Sequence, residues 1–181
     1  VYLKTLGEDF KLKIGTYKFN GKLSKYEVLK KLKNKESNGI RVTIPEGFTK
    51  KQVYERLEAL GLGSEEEINK ALSEIDFPYP HENNNFEGYF YPETYIFNEG
   101  VTTKQVLTTI LNEFLKKFPV EKYPDKDEFY QKLIMASILE REAAVESEKP
   151  IMASVFYNRI AKNMTLSADS TVNFVFNYEK K

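Results

Sequence analysis

Two acids sit two positions apart in the stretch Lys132–Ala144, KLIMASILEREAA, which otherwise reads as a buried helix. Phe129, Leu133, Ala136, Ala143 and Ala144 recur with the i, i+3, i+4, i+7 spacing of one helix face, and Glu140 falls in the middle of that arc. Glu142 falls on the other side, near Gln131 and Glu146, where water should reach it. A carboxylate on a core-facing arc is costly unless it is neutral or paired. Burial that favours the neutral form also suits a general acid. Glu140 is therefore the candidate acid. The competing reading of the same residue is a structural ion pair with Arg141 or another cation.

The helix that carries both acids is predicted from an N-cap at Asp127 to about Val145. A following helix is predicted over Lys149 to Ala161, with Ile151, Met152, Val155, Phe156 and Ile160 inward. The tail from Leu166 to Phe176 reads as a loop and a strand, the strand extending to Tyr178 and lacking partners along its edges. Upstream, residues 8–19 alternate polar and apolar like a strand pair bent at Gly15. A short helix is predicted from Lys25 to Lys35, and a strand from Ile40 to Ile44, stopped by Pro45 and Gly47. Thr49 with Gln52, and Ser64 with Glu67, carry the capping-box pattern for two further helices. Thr102 or Thr103 starts another, which Pro119 ends. The Pro- and Asn-rich stretch from Phe77 to Asn85 marks a boundary or a functional loop. The fold class expected is α+β, with a small α/β unit over residues 1–75 and a mainly helical part over 76–181.

The composition narrows the chemistry. Lys+Arg and Asp+Glu both number 27 among 181 residues, so no net charge argues for nucleic acid. There is no cysteine, which excludes disulfides and thiolate metal sites, and the single histidine, His81, makes a zinc site unfavourable. No apolar run reaches the 18 residues of a membrane span. Val1 stands where a start Met would, so a preceding signal or anchor is left open.

Five motifs in order then resemble one family. Phe86–Tyr95, FEGYFYPETY, is similar to LEGYLFPDTY of the YceG-like endolytic murein transglycosylases, and Ala136–Glu142, ASILERE, is similar to their ASIVEKE. Ser154–Ile160 with Met164 and Leu166–Val172 resembles SVFYNRL…M-LQSDPTV. Ile14–Tyr17 and Val42–Gly47 resemble the AGTY and VTIPEG of the family's LysM-like unit. The resemblance implies a bacterial enzyme, anchored in the cytoplasmic membrane by an N-terminal helix, that cuts peptidoglycan glycan strands on the periplasmic or extracellular side. It implies no metal or cofactor, and cell-wall synthesis proteins as partners. The family's catalytic glutamate lands on Glu140.

The reaction so implied cleaves between N-acetylmuramic acid and N-acetylglucosamine without water and leaves a 1,6-anhydro end. Glu140 would protonate the leaving oxygen and then remove the 6-hydroxyl proton. Glu142, Ser137, Asn158, Arg159, Asp169 and Thr171 are candidates to hold the sugar, with Tyr89 and Tyr95 as stacking platforms. Two departures stand out. Ser170 replaces the proline of DPTV, and the sequence stops before the family's YNTY and GLPPGPI region. The first loosens that loop. The second implies a truncated or degenerate piece whose activity is in doubt, and it favours the alternative of a non-catalytic glycan-binding or scaffold module, against which the Glu140 motif argues. A pyridoxal-phosphate lyase is disfavoured, because no Schiff-base lysine or phosphate cradle is visible and Lys132 lies on the polar arc.

Overall fold

The computed structural model describes residues 21–33 and 39–179. The strand pair expected over residues 8–19, with its Gly15 bend, and the Ile14–Tyr17 motif lie outside them. In chain order the described elements are α1 (Lys25–Lys33), β1 (Ile40–Ile44), α2 (Lys50–Ala59), α3 (Glu65–Ser73), β2 (Glu93–Phe97), α4 (Thr103–Lys117), α5 (Lys126–Glu142), α6 (Lys149–Ala161) and α7 (Asp169–Glu179). The described residues are mixed helical with one small two-stranded sheet, in keeping with an α+β class.

Local chemistry starts and stops the first helices. Thr49 and Gln52 form a reciprocal capping box at α2, as do Ser64 and Glu67 at α3 and Thr102 and Gln105 at α4. Each box satisfies backbone donors that the first helical turn leaves unpaired. Glu87 adds a long-range cap. Both of its carboxylate oxygens accept from the Lys50 N–H at 3.1 Å, at the start of α2.

β1 and β2 pair antiparallel with Val42 opposite Tyr95, and Thr43 Oγ1 lies 3.1 Å from Thr94 Oγ1. Alternation puts Val42, Ile44, Tyr95 and Phe97 into the core and leaves Arg41 and Ile96 exposed. The pairing joins residues on either side of position 75, and so does the hydrophobic core. Val42, Leu57 and Ile68 share one cluster with Tyr89, Ile110, Phe114 and Phe129. The Phe77–Phe86 stretch is thus an aromatic hub between the two halves. Phe77 lies 4.9 Å from Tyr89 and Tyr79 lies 4.5 Å from Phe129, ring centre to ring centre. Such pairs contribute about 0.5–1.5 kcal/mol beyond the area they bury.

α5 departs from its expected pattern. Asp125, not Asp127, caps it, accepting from the Glu128 N–H at 2.8 Å, and it ends at Glu142, three residues before Val145. It also changes face along its length. Phe129 and Leu133 belong to the main core, whereas Met135, Ile138 and Leu139 belong to a second, smaller cluster with Phe156 of α6 and Ala168 ahead of α7. The arc continued through Ala136 and Glu140 is on the exposed side. On α6 only Phe156 is buried and Met152 half-buried, while Ile151, Val155 and Ile160 are exposed. The expected C-terminal strand is instead the helix α7. Its short run of Val, Phe and Asn residues fits either period, and the N-terminal anchoring described below selects the helix.

Candidate functional site

Glu140 lies in the last turn of α5, its side chain 39% exposed. Among the described residues the expected apolar wall does not form around it, because the buried stripe has moved to Met135, Ile138 and Leu139. Its partner is Lys149 at the start of α6, whose Nζ donates to Glu140 Oε2 at 2.7 Å and also to Glu146 Oε1. These two carboxylates push the Lys149 ammonium above the usual lysine range, Glu140 acting most strongly. The ion-pair alternative is therefore realised, with Lys149 in the place proposed for Arg141. Arg141 turns instead toward the β1–α2 loop and donates from Nη1 to the Gly47 carbonyl at 3.1 Å. A Cβ on Gly47, whose φ is +71°, would stand 3.8 Å from Glu140 Cγ and 3.9 Å from Arg141 Cδ. The VTIPEG-type loop thus abuts the glutamate motif.

Glu142 reverses its expected role. It is half-buried, continuing the Met135–Ile138–Leu139 stripe, and its Oε1 accepts from the Ser170 N–H at 2.6 Å. That N–H is one of the unpaired donors at the N-terminus of α7, so Glu142 caps a helix distant in sequence. The backbone bond holds its carboxyl below the usual carboxylate range, and the nearby Ser170 hydroxyl reinforces this. That hydroxyl is itself buried without a hydrogen bond of proper geometry.

The remaining candidates divide by what their polar atoms already do. The Ser137 hydroxyl donates to the Ile134 carbonyl of its own helix at 2.7 Å. Arg159 is half-buried and clamps the α6–α7 loop, donating to the Leu166 carbonyl at 2.8 Å and the Thr165 carbonyl at 3.2 Å. The Thr171 hydroxyl donates to the Ala168 carbonyl at 2.6 Å. Asn158 and Asp169 are exposed, on α6 and at the first position of α7. Tyr89 and Tyr95 are not stacking platforms. Their rings are 0% and 7% exposed, and their hydroxyls donate to the Pro80 and Tyr91 carbonyls at 2.6 and 2.7 Å. Burial raises both phenols above the usual tyrosine range.

Sequence reasoning missed Lys149 and Glu146. Lys149 is nine positions from Glu140 and meets it only because a 3-10 turn at Glu146–Glu148 folds α6 back beside α5. Among the described residues no group of three or more His, Asp or Glu side chains is placed to hold a metal, and no helix is long and apolar enough to cross a membrane. A shallow depression lined by Pro78, His81, Glu82 and Asp125–Asp127 lies beside the aromatic hub, and none of the site candidates lines it.

Fold and site together define a mixed α+β protein that presents a lysine-paired glutamate at the junction of two helices. The YceG-like family model matches residues 1–181, and the chain belongs to that family. The endolytic murein transglycosylase of Bacillus subtilis (strain 168) is 33% identical over 137 residues, covering 69% of this chain and 36% of the relative. The protein of the same name from Streptococcus pneumoniae (strain R6) is 25% identical over 192 residues, covering 89% of this chain and 35% of the relative. A crystal structure of a YceG-like protein from Listeria monocytogenes is 27% identical with a TM-score of 0.58, covering 99% of this chain and 66% of that one. The chain therefore spans about a third of the length of these curated relatives.

Proposed function

We propose that this chain is part of an endolytic lytic transglycosylase that cuts peptidoglycan between N-acetylmuramic acid and N-acetylglucosamine, with Glu140 as general acid and then base. The observation that carries the reading is the YceG-like match across residues 1–181. Two relatives named endolytic murein transglycosylase support it. Glu140 protonates the glycosidic oxygen as the C1–O bond breaks. As carboxylate it then takes the proton of the muramic acid 6-hydroxyl, whose oxygen closes on C1 to give the 1,6-anhydro ring. One carboxyl group serves both steps, unlike the two-carboxylate scheme of most glycosidases. Its exposure at the α5–α6 junction lets it reach a polymer strand without backbone movement. A sugar laid over it strips away water, and desolvation favours the protonated acid.

Asn158 and Asp169 are the candidates left with exposed side chains to meet a sugar. The N-terminal unit is read as LysM-like, contributing glycan affinity, with its β1–α2 loop against the glutamate motif. The native setting is the outer face of the cytoplasmic membrane, anchored through a segment outside these residues, alongside cell-wall synthesis proteins. Purified glycan strands digested by the full-length protein should carry 1,6-anhydro-muramic ends by mass spectrometry. Reducing ends would make water the nucleophile and the enzyme a hydrolase. The ion-paired, uncovered state of Glu140 favours one second reading, a non-catalytic glycan-binding or scaffold module, for which the same digest would yield no new ends at all.

A further inference from the structure

We propose that Lys149 is the positioning residue for Glu140 and that Glu146 sets how firmly it holds. The inference rests on the acid–base reading of Glu140 above. Lys149 stands at the start of α6, where the 3-10 turn on one side and Pro150 on the other fix its backbone. Its side chain is 23% exposed, against 39% for Glu140 and 86% for Glu146, so the cation is the most sheltered member of the trio. An ammonium has three donors and bridges the two carboxylates. Its bond to Glu140 falls on Oε2 and leaves Oε1 to meet a glycosidic oxygen.

Two charges on the same helix have partners of their own. Arg141, its neighbour on α5, donates to Gly47 O, and Glu142 is taken by the Ser170 N–H. The β1–α2 loop brings the Gly47 backbone against Glu140 and carries the exposed Glu46 beside it. Lys149 is the charged group that bonds this carboxyl directly, and Glu146 shares that ammonium; Glu148, in the 3-10 turn beside Lys149, is the other acid on that side. A cation that bonds to a carboxylate fixes its rotamer but opposes its protonation. Glu146 competes for the same ammonium and loosens that hold. The pair gives Glu140 a fixed orientation.

The test is the pH dependence of glycan-strand cleavage by the full-length protein, with Lys149→Met, Lys149→Arg and Glu146→Gln compared with the parent. Lys149→Met should lower kcat roughly tenfold to a hundredfold, the scale of a misplaced reacting group, with KM little changed. It should also move the alkaline limb of the profile, where a general acid loses its proton, to higher pH. Glu146→Gln should move that limb the opposite way, because Lys149 is then left to Glu140 alone. Lys149→Arg should restore kcat. Thermal unfolding should differ little among the variants, since exposed ion pairs add little to stability. Profiles of Lys149→Met and Glu146→Gln that superpose on the parent, or shift in the same direction, would overturn the proposal while a dead Glu140→Gln left the acid–base reading standing. An active Glu140→Gln would overturn both.

Discussion

Replacing Glu142 with Gln should destabilise the fold at neutral pH and leave it unaffected in acid. The carboxylate accepts the Ser170 N–H at 2.6 Å, at the positive end of the α7 dipole. A hydrogen bond to a charged group contributes about 1.5–3 kcal/mol, and a neutral one about 1. Gln keeps a carbonyl acceptor, so the expected loss is the charged part, about 1 kcal/mol. Ala removes the acceptor altogether and should cost about 2 kcal/mol, the upper range for losing a helix cap. In a chain of this size each kcal/mol moves Tm by about 2–4 °C. The carboxyl is held below its usual range in the folded state, so the unfolded chain takes up the proton first as pH falls. Its stabilisation is therefore complete above the unfolded value of about 4.3 and is lost as pH falls through the lower folded value. Unfolding of parent and Glu142→Gln, followed from pH 7 to pH 3, should show a gap that closes in acid. Amide exchange at Ser170 should quicken in the variant. A gap that persists unchanged at pH 3, or is missing at pH 7, would refute the capping role.

Tyr89→Phe should cost about 1–2 kcal/mol in urea unfolding, because the Pro80 carbonyl loses the phenol that reaches it at 2.6 Å inside the core. It should leave glycan cleavage intact, which separates a packing role from a sugar platform. Gly88→Ala should cost about 1–3 kcal/mol by the same measurement. Gly88 has a φ of +85°, and a Cβ there would stand 3.3 Å from Leu133 Cδ2.

The parts of the fold that depend on neighbours in sequence were readable without coordinates. Thr49 with Gln52, and Ser64 with Glu67, mark α2 and α3 through side chains three residues apart, and Pro119 stops α4 just after Phe118. The antiparallel join of β1 to β2 brings together residues about fifty positions apart, and no local pattern carries it. α5 misled because one periodicity was extended through a helix that serves two clusters. The large side chains Met135, Ile138 and Leu139 decide the second half, not the alanines beside Glu140. α7 misled because its exposed Val172, Phe174, Val175 and Phe176 resemble a strand, while its start is tied by an acid 28 positions away. Glu140 lies on the helix the sequence expects for it, α5. Its partner lay hidden in the geometry of the α5–α6 turn.

Glu140→Gln bears most directly on the central claim. It keeps the side chain's shape and removes the titrating proton, so general acid–base catalysis should fall by on the order of 10² or more. The measurement is the rate of glycan-strand cleavage by the full-length protein and its Glu140→Gln variant at matched fold stability. A loss of that size, with Tm unchanged, is the predicted result. Equal rates in the two proteins would contradict the assignment of Glu140 as the acid and base of the reaction.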